Sequence, residues 1–262
     1  MPEEDPLERL SATQRTLVAA MATAMRDGRV EIAVADDSDL VTPEFADAVA
    51  NFLLLHHAVY GSSLNKEAFE FIFTVANQAA GREAERNRQR GSNTHDVRVE
   101  GTKWSLKTEA GTDTKPQRVY IAKWMEARWI RECTNPAECA AAMSRIVHHG
   151  SDYERIAALQ AIRAAAGTST RYRLIELPKG EVNRLLELNH RHFTKPGSKK
   201  SYGANLPRDA STNALVESPS ERTLRVLLDS SVEKVRMWFE VDACKVHGEW
   251  LVEHAPLVEE ED

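Results

Sequence analysis

The spacing of apolar residues divides the chain into a helical first part and a later part in which strands predominate. Apolar side chains recur at three-, four- and seven-residue spacings from Leu7 to Met25, which predicts an amphipathic helix that ends at Gly28. Thr42 followed by Pro43 is typical of a helix start, because threonine caps the first turn and proline fits its first position. Two helices are therefore predicted before residue 60.

A third helix is predicted after Asn65, with Phe69 and Phe73 on one face. Its continuation from Arg82 to Arg90 is too polar for a protein core and is expected to lie at the surface. Residues 1–90 are therefore expected to form a helical N-terminal part.

After Gly91, polar and apolar residues begin to alternate, which indicates strands. Asp96–Glu100 and Trp104–Thr108, joined at Gly101, predict a β-hairpin. Further strands are predicted at Val119–Trp124, Tyr172–Leu177, Thr223–Leu228, Val235–Phe239 and Val246–Val252. Helices are predicted at 137–147, at 152–166 and up to about His190, followed by an irregular loop at Thr194–Asp209. This order predicts an α/β fold with a mixed sheet and a helical N-terminal region.

The charge of the chain is unevenly distributed. Its 34 basic and 40 acidic residues give a net charge of −6, which by itself disfavours a polyanionic partner. Residues 81–208, however, sum to +10, while residues 1–80 and 209–262 carry −8 each. A basic interior of this kind favours contact with the phosphates of a nucleic acid.

Length and composition predict an intracellular globular protein of one large domain or two small ones. The chain of 262 residues is 42% apolar, which is enough to bury a substantial core. No apolar run reaches the roughly 20 residues that cross a bilayer, and the acidic start is unlike a secretory leader. Three cysteines without a paired spacing fit a reducing compartment, so a cytoplasmic location is expected.

The predicted hairpin carries residues suited to a metal-dependent nuclease. Asp96 opens its first strand, and Lys107 lies in the second strand. A carboxylate can hold Mg²⁺, which polarises a phosphate, while a lysine orients the attacking water and offsets charge in the transition state. Strand alternation places Ser105, Lys107 and Glu109 on one face. The pattern alone is weak, because charged hairpins with ordinary ion pairs are common.

The hairpin resembles the PD-(D/E)XK nuclease pattern, with Ser105 at a position that is normally acidic. The wider sequence is similar to the SmaI family of type II restriction endonucleases, over most of the chain from about residue 65 onward. Six blocks in the same order carry this resemblance: His95–Val99, Ser105–Ala110, Ala122–Glu126, Asp152–Ile156, Leu174–Lys179 and Cys244–Trp250. Since that family also has a non-acidic residue two positions before the lysine, Ser105 is interpreted as a family trait.

The resemblance implies a restriction-endonuclease-like fold, a mixed central sheet flanked by helices, as a single domain over residues 1–262. Its helical part is expected at 1–90 and its catalytic and DNA-binding sheet part at 91–262. A homodimer is implied that uses Mg²⁺ to cut double-stranded DNA at a palindromic GC-rich hexamer, with CCCGGG as the expected target. Asp96 is then the expected metal ligand and Lys107 the residue that positions water. No organic cofactor and no membrane are expected.

Because Ser105 has no carboxylate, a second carboxylate ligand for the metal must come from another position. Glu70 is the first candidate, because it lies between two phenylalanines on the helix before the hairpin, where an unpartnered acid is costly. A Glu70 that faces solvent, or that forms an ordinary ion pair with Lys66 four residues earlier, fits the sequence equally well. The remaining candidates are, in order, Glu109, on the face of Lys107, and the turn residues Glu100 and Asp113.

Two basic segments are predicted to contact DNA. The first immediately precedes the hairpin and contains Arg86, Arg88 and Arg90. The second is the irregular loop at Thr194–Asp209, which contains Lys195, Lys199, Lys200 and Arg208. A solvated helix end explains the first segment as well, and the second can bind phosphates without reading bases.

Two other functions stay compatible with the sequence. A repair or structure-specific nuclease of the same fold would use the hairpin without a fixed target. Ser105 is also compatible with a DNA-binding protein whose nuclease site is inactive. Digestion of DNA of known sequence with Mg²⁺ separates these alternatives from a restriction endonuclease.

Overall fold

A computed structural model describes residues 7–87, 95–164, 169–196, 201–211 and 215–253. In these residues five α-helices accompany two β-sheets. The helices are α1 (Ala12–Asp27), α2 (Pro43–Val59), α3 (Lys66–Ala79), α4 (Pro136–Ser151) and the short α5 (Lys179–Asn183). No helix in the described part of the chain is long and apolar enough to cross a membrane.

The strands form one large mixed sheet and one smaller antiparallel sheet. In chain order they are β1 (Arg29–Val34), β2 (Ala84–Arg86), β3 (Val97–Val99), β4 (Thr102–Glu109), β5 (Arg118–Glu126), β6 (Arg155–Arg163), β7 (Ser169–Glu176), β8 (Tyr202–Pro207), β9 (Arg222–Asp229), β10 (Lys234–Glu240) and β11 (Lys245–Glu253). The seven-stranded sheet has the order β1-β11-β7-β6-β4-β3-β2, and the four-stranded sheet has the order β5-β10-β9-β8. Only β4 and β6 pair in parallel among the described strands. The predicted α/β class with a mixed sheet is confirmed.

The predicted helix starts are confirmed where a capping residue precedes them. The Thr42 hydroxyl accepts a hydrogen bond from the Phe45 amide, with Pro43 in the first turn. Asn65 likewise caps α3 through the Ala68 amide. The first helix begins at Ala12 rather than at Leu7, because Ser11 forms a capping box with Gln14.

The N-terminal part is mainly helical but also contributes two strands to the large sheet, which the sequence analysis did not predict. The expected continuation of α3 into residues 82–90 is wrong for its described residues, because Gly81 adopts φ +78° and the chain turns into β2. β1 pairs with β11 at the opposite edge of the sheet. Arg88 and Arg90 lie outside the described residues.

Three later predictions are corrected by the structure. The helix expected at 152–166 is β6, a strand buried on both faces between β4 and β7. The helix expected up to about His190 is replaced by α5 and two short 3₁₀ turns. Within the expected loop at Thr194–Asp209, residues 202–207 form the edge strand β8.

The large sheet separates two hydrophobic cores. On one face, Trp104, Leu106 and Trp250 pack with residues of α2 and α3. On the other face, Ile156 and Ala158 of β6 pack with α4 and the inner face of the small sheet. The hairpin β3–β4 therefore lies where α3, the large sheet and β5 meet, and this junction contains the candidate site.

Candidate active site

The β3–β4 hairpin fixes the position of Asp96 directly before its first strand. Glu100 and Gly101 form the turn with φ values of +48° and +80°, the left-handed conformation of tight hairpin turns. Val97 pairs with Trp104, and the Asp96 amide donates to the Trp104 carbonyl over 2.8 Å. Asp96 is thus locked in register with the strand that carries Lys107.

Three donors surround the Asp96 carboxylate. The Leu106 amide donates to Oδ2 at 2.6 Å, and the buried Ser105 hydroxyl donates to the same oxygen at 3.2 Å. Oδ1 accepts from the Lys66 ammonium at 2.7 Å. Ser105 therefore does not supply the acid expected in the general nuclease pattern, and instead orients the aspartate.

Lys107 lies on the same face of β4 as Ser105, opposite Trp104 and Leu106 in the core. Its Nζ is 5.9 Å from the centre of the Tyr153 ring. Burial lowers the pKa of Lys107 to about 8, although the negative charge of Asp96 opposes this shift. A lysine in this state can exchange a proton near neutral pH.

Glu70 approaches Asp96 from α3. Its carboxylate lies 3.2 Å from Lys66 Nζ and 3.7 Å from an Arg86 guanidinium nitrogen. The ion pair with Lys66 that the sequence offered as an alternative is thus present. Because the same ammonium also contacts Asp96, the pair brings Glu70 to the candidate site rather than away from it.

A cavity of about 300 Å³ opens at this point. It is lined by Lys66, His95, Asp96, Lys107, Lys123, Trp124, Met125, Glu126, His149 and Tyr153. Burial and the charge of Lys107 lower the pKa of His149, while burial and the charge of Asp96 raise the pKa of Tyr153 to about 12. These shifts favour the neutral forms of His149 and Tyr153, and burial lowers the pKa of the lining residue His95 as well, so the lysines are the main cationic groups of the cavity.

Lys66, Lys123, His149 and Tyr153 were not identified as site residues from the sequence. Lys123 and Tyr153 lie in two of the blocks that carried the family resemblance, which was the available signal. Asp96, Lys107, Lys123 and Tyr153 each come from a different one of the six blocks, and all four line the same cavity.

The other candidate carboxylates lie away from Asp96. Glu109, at the far end of β4, accepts a hydrogen bond of 2.8 Å from Gln160 and is outside the cavity lining. Its burial raises its pKa. Glu100 accepts from the Glu83 amide at 2.6 Å and holds the hairpin turn, while Asp113 is exposed in the β4–β5 connection. Glu70 is also outside the cavity lining, but Lys66 contacts both Glu70 and Asp96.

A separate acidic cluster consists of Asp39, Glu176 and His247, whose ligand atoms lie within 4.8 Å of one another. Arg155 contacts both carboxylates, with an N–O distance of 2.8 Å to Asp39, and Lys245 lies 3.3 Å from Asp39. These two basic side chains neutralise the cluster. It joins the 35–41 segment to β6, β7 and β11.

The predicted DNA contacts fall in two places. Arg86 lies beside Glu70, next to the hairpin. Lys195 is exposed and sits 5.2 Å from the Tyr202 ring centre, and Arg208 pairs with Asp242 at 2.5 Å; both belong to the side of the small sheet. Arg88, Arg90, Lys199 and Lys200 lie outside the described residues.

Comparison with known proteins agrees with this arrangement. A family model described as SmaI, type II site-specific deoxyribonuclease, matches residues 7–252, which is nearly the whole chain. The chain belongs to the SmaI family of type II site-specific deoxyribonucleases. It is 26% identical over 217 residues to the type II restriction enzyme SmaI of Serratia marcescens, covering 81% of each chain. No solved structure matches the chain.

Membership of the SmaI family confirms the resemblance found in the sequence. The protein is an enzyme that cleaves DNA site-specifically, and its mixed sheet with a helical N-terminal region is consistent with a restriction-endonuclease-like fold. The matched range covers the hairpin, the cavity and both sheets.

Proposed function

We propose that this protein is a Mg²⁺-dependent restriction endonuclease that cuts both strands of a palindromic GC-rich hexamer, CCCGGG being the expected target. The observation that carries the proposal is the hairpin, which holds Asp96 and Lys107 at one cavity in a chain of the SmaI family. The target is inferred from the family resemblance. Hydrolysis would leave 5′-phosphate and 3′-hydroxyl ends.

The residues present fit a divalent metal ion. Oxygens of Asp96 and Glu70 both lie within 3.2 Å of Lys66 Nζ, so two carboxylates already converge on one cationic atom. Carboxylate oxygens are the hard ligands that Mg²⁺ prefers. We assign Asp96 and Glu70 as the proposed metal ligands, with Glu109, whose carboxylate accepts from Gln160, as the further candidate. A bound Mg²⁺ would supply Lewis-acid activation of the scissile phosphate.

Lys107 is the proposed catalytic base or water-positioning residue. Its pKa of about 8 leaves a substantial neutral fraction at neutral to mildly alkaline pH, and the neutral amine accepts a proton from water. The water oxygen then forms the new bond to phosphorus, the bond to the 3′ oxygen breaks, and that oxygen takes up a proton. The charged form of Lys107 contributes by offsetting negative charge on the phosphate.

The proposed DNA contacts are two basic segments of the chain. Arg86, with Arg88 and Arg90, precedes the hairpin, and Lys195, Lys199, Lys200 and Arg208 follow β7. The net charge of +10 over residues 81–208 supports these contacts, because binding to phosphates depends on basic side chains.

We further propose a single domain over the whole chain and a two-fold homodimer, since a palindrome is matched by two-fold symmetry. Cys133, Cys139 and Cys244 are free thiols, which supports a cytoplasmic location.

Digestion of a plasmid with one CCCGGG site in the presence and absence of Mg²⁺ tests this function. We expect one linear product whose ends map to that site, and none with Asp96→Asn or Lys107→Ala. Both variants should still shift the site-containing duplex in a gel. Lys103→Ala, on the same strand but outside the cavity, serves as the control and should cleave normally.

Each other result of that digestion contradicts part of the proposal. A smear instead of discrete bands indicates a nuclease without a fixed target. A gel shift without cleavage in any divalent ion indicates an inactive DNA-binding protein. Cleavage by the Lys107→Ala protein at the normal rate would remove the role assigned to this lysine.

A further inference from the structure

Lys66 occupies a position between the two proposed metal ligands. Its Nζ lies 2.7 Å from Asp96 Oδ1 and 3.2 Å from Glu70 Oε1. The lysine side chain is 46% exposed, whereas the Asp96 and Glu70 side chains are 20% and 17% exposed. A cation reachable from solvent thus covers two shielded carboxylates.

The location of Lys66 in its helix indicates that the carboxylates hold it there. Asn65 is the N-cap of α3, so Lys66 is the first helical residue. Positive charge at a helix N-terminus is disfavoured by the helix dipole, and acids are preferred in this turn. Glu70 lies one turn further along α3, within reach of Lys66, although a lysine that precedes its glutamate is the less favourable order for such a pair.

An ammonium and a divalent ion cannot occupy the same space between these oxygens. Resting on the proposed metal site, we propose that Lys66 is a built-in counter-cation that holds Asp96 and Glu70 together in the free enzyme and competes with the divalent ion. A DNA phosphate gives the ammonium an alternative partner, because lysine carries a flexible stem with a point charge. Departure of Lys66 toward the phosphate then frees both carboxylates, which couples ion binding to DNA binding.

This role separates Lys66 from the other cations near the site. Arg86 contacts Glu70 but has no contact with Asp96 in the described structure, and Lys123, which also lines the cavity, pairs with Glu126 at 3.8 Å. Lys123 therefore offers a matched control, since its removal deletes the same charge from the same cavity without touching either carboxylate. Lys66→Met keeps the length of the side chain and removes the charge.

Titration of the free protein with Mn²⁺, followed by calorimetry in the absence of DNA, tests the proposal. We expect Lys66→Met to bind Mn²⁺ at least tenfold more tightly than wild type, whereas Lys66→Arg and Lys123→Met stay within about twofold of it. Adding Asp96→Asn to Lys66→Met should abolish the gain. With a cleavage-incompetent Lys107→Ala protein, bound duplex should tighten Mn²⁺ binding, and Lys66→Met should remove most of that coupling.

The outcomes distinguish this proposal from the metal site on which it rests. Equal Mn²⁺ affinity of wild type and Lys66→Met, with binding still lost in Asp96→Asn, overturns the role of Lys66 and leaves the metal site intact. Binding that is indifferent to Asp96→Asn overturns the ligand assignment itself. No binding in any of the proteins also overturns the proposal. Thermal unfolding of each variant confirms folding, and Lys66→Gln replaces Lys66→Met if the latter does not unfold cooperatively.

Discussion

Ser105 stands two residues before Lys107, where the general nuclease pattern has an acid, and its hydroxyl instead donates to Asp96. A carboxylate at this buried position would face Asp96 at close range and repel it unless a cation lay between them. The hydroxyl avoids that repulsion and adds a donor to the one from Leu106. At the scale of single residues, the site thus has, in place of an acid, a hydroxyl that orients Asp96, the proposed metal ligand.

Replacing this serine tests the orienting role. A hydrogen bond to a charged group contributes about 1.5–3 kcal/mol, so we expect Ser105→Ala to lower the single-turnover cleavage rate by at least about tenfold. Ser144→Ala, at an exposed position of α4, should leave the rate unchanged. A loss as complete as that of Asp96→Asn would mean that Ser105 acts directly on the substrate.

The pKa of Lys107 gives the site a predicted pH dependence. If the neutral amine accepts the proton, the rate should rise with pH and level off above the pKa, which burial has lowered to about 8. A bound divalent cation disfavours the charged amine further, so the inflection should lie at or below about pH 8. Single-turnover rates at saturating enzyme from pH 6 to 9.5 measure it, and a rate that falls over this range assigns the task to the charged form.

At the scale of elements, the hairpin turn fixes the register between the strands that position Asp96 and Lys107. Gly101 has φ +80° with open space around its Cα, so an added methyl group strains the backbone without a clash. We expect Gly101→Ala to lower the free energy of unfolding by about 1–2 kcal/mol in a urea titration. Gly111→Ala is the control, because that glycine also has open surroundings but no positive φ. Equal effects of the two substitutions would exclude a conformational cause.

The hairpin was predictable because its signals are local. Period-two alternation and one glycine define two short strands, and that register brings Asp96, Ser105 and Lys107 together. Capping residues defined the starts of α2 and α3 for the same reason. These features need no knowledge of distant parts of the chain.

Of the four strands that the sequence did not predict, β6 and β8 were missed because burial and close packing gave them misleading sequences. β6 is apolar and rich in alanine since both of its faces are covered, and such a run carries no strand periodicity. β8 contains Gly203 and Pro207, and these two residue types are more typical of loops than of strands. A Cβ at Gly203 would lie 3.2 Å from the Val226 carbonyl, and proline is tolerated at the end of an edge strand.

The cavity lining beyond the hairpin could not be assigned from local patterns. Lys66, Lys123, His149 and Tyr153 come from α3, β5, α4 and the segment before β6, and the pairing of β4 with β6 helps to bring them together. Glu109 lies on the face of Lys107, as strand alternation predicted. Two residues along the strand, its carboxylate meets a different neighbour, Gln160.

At the scale of the whole molecule, the basic segment of the chain contains most of the elements around the cavity. The basic interior segment, residues 81–208, contains the hairpin, β5 and α4, all of which line or flank the cavity, while both acidic segments lie at the ends of the chain. The net charge of −6 therefore says little about the surface that meets a phosphate backbone. DNA affinity should fall steeply with salt despite the negative total, since phosphate contacts release counterions.

A two-fold dimer with one cavity per subunit makes a prediction about strand cleavage. If each subunit cuts one strand, a mixed dimer of wild-type and Lys107→Ala subunits should nick a supercoiled plasmid that carries a single target site. Because Lys107→Ala retains its DNA contacts, such dimers should still bind the site. With a ninefold excess of inactive subunits, we expect open circles to be the main product, and gel electrophoresis separates them from linear DNA. Linear DNA as the main product at all ratios would mean that one subunit cuts both strands, and sedimentation of the wild-type protein checks the dimer independently.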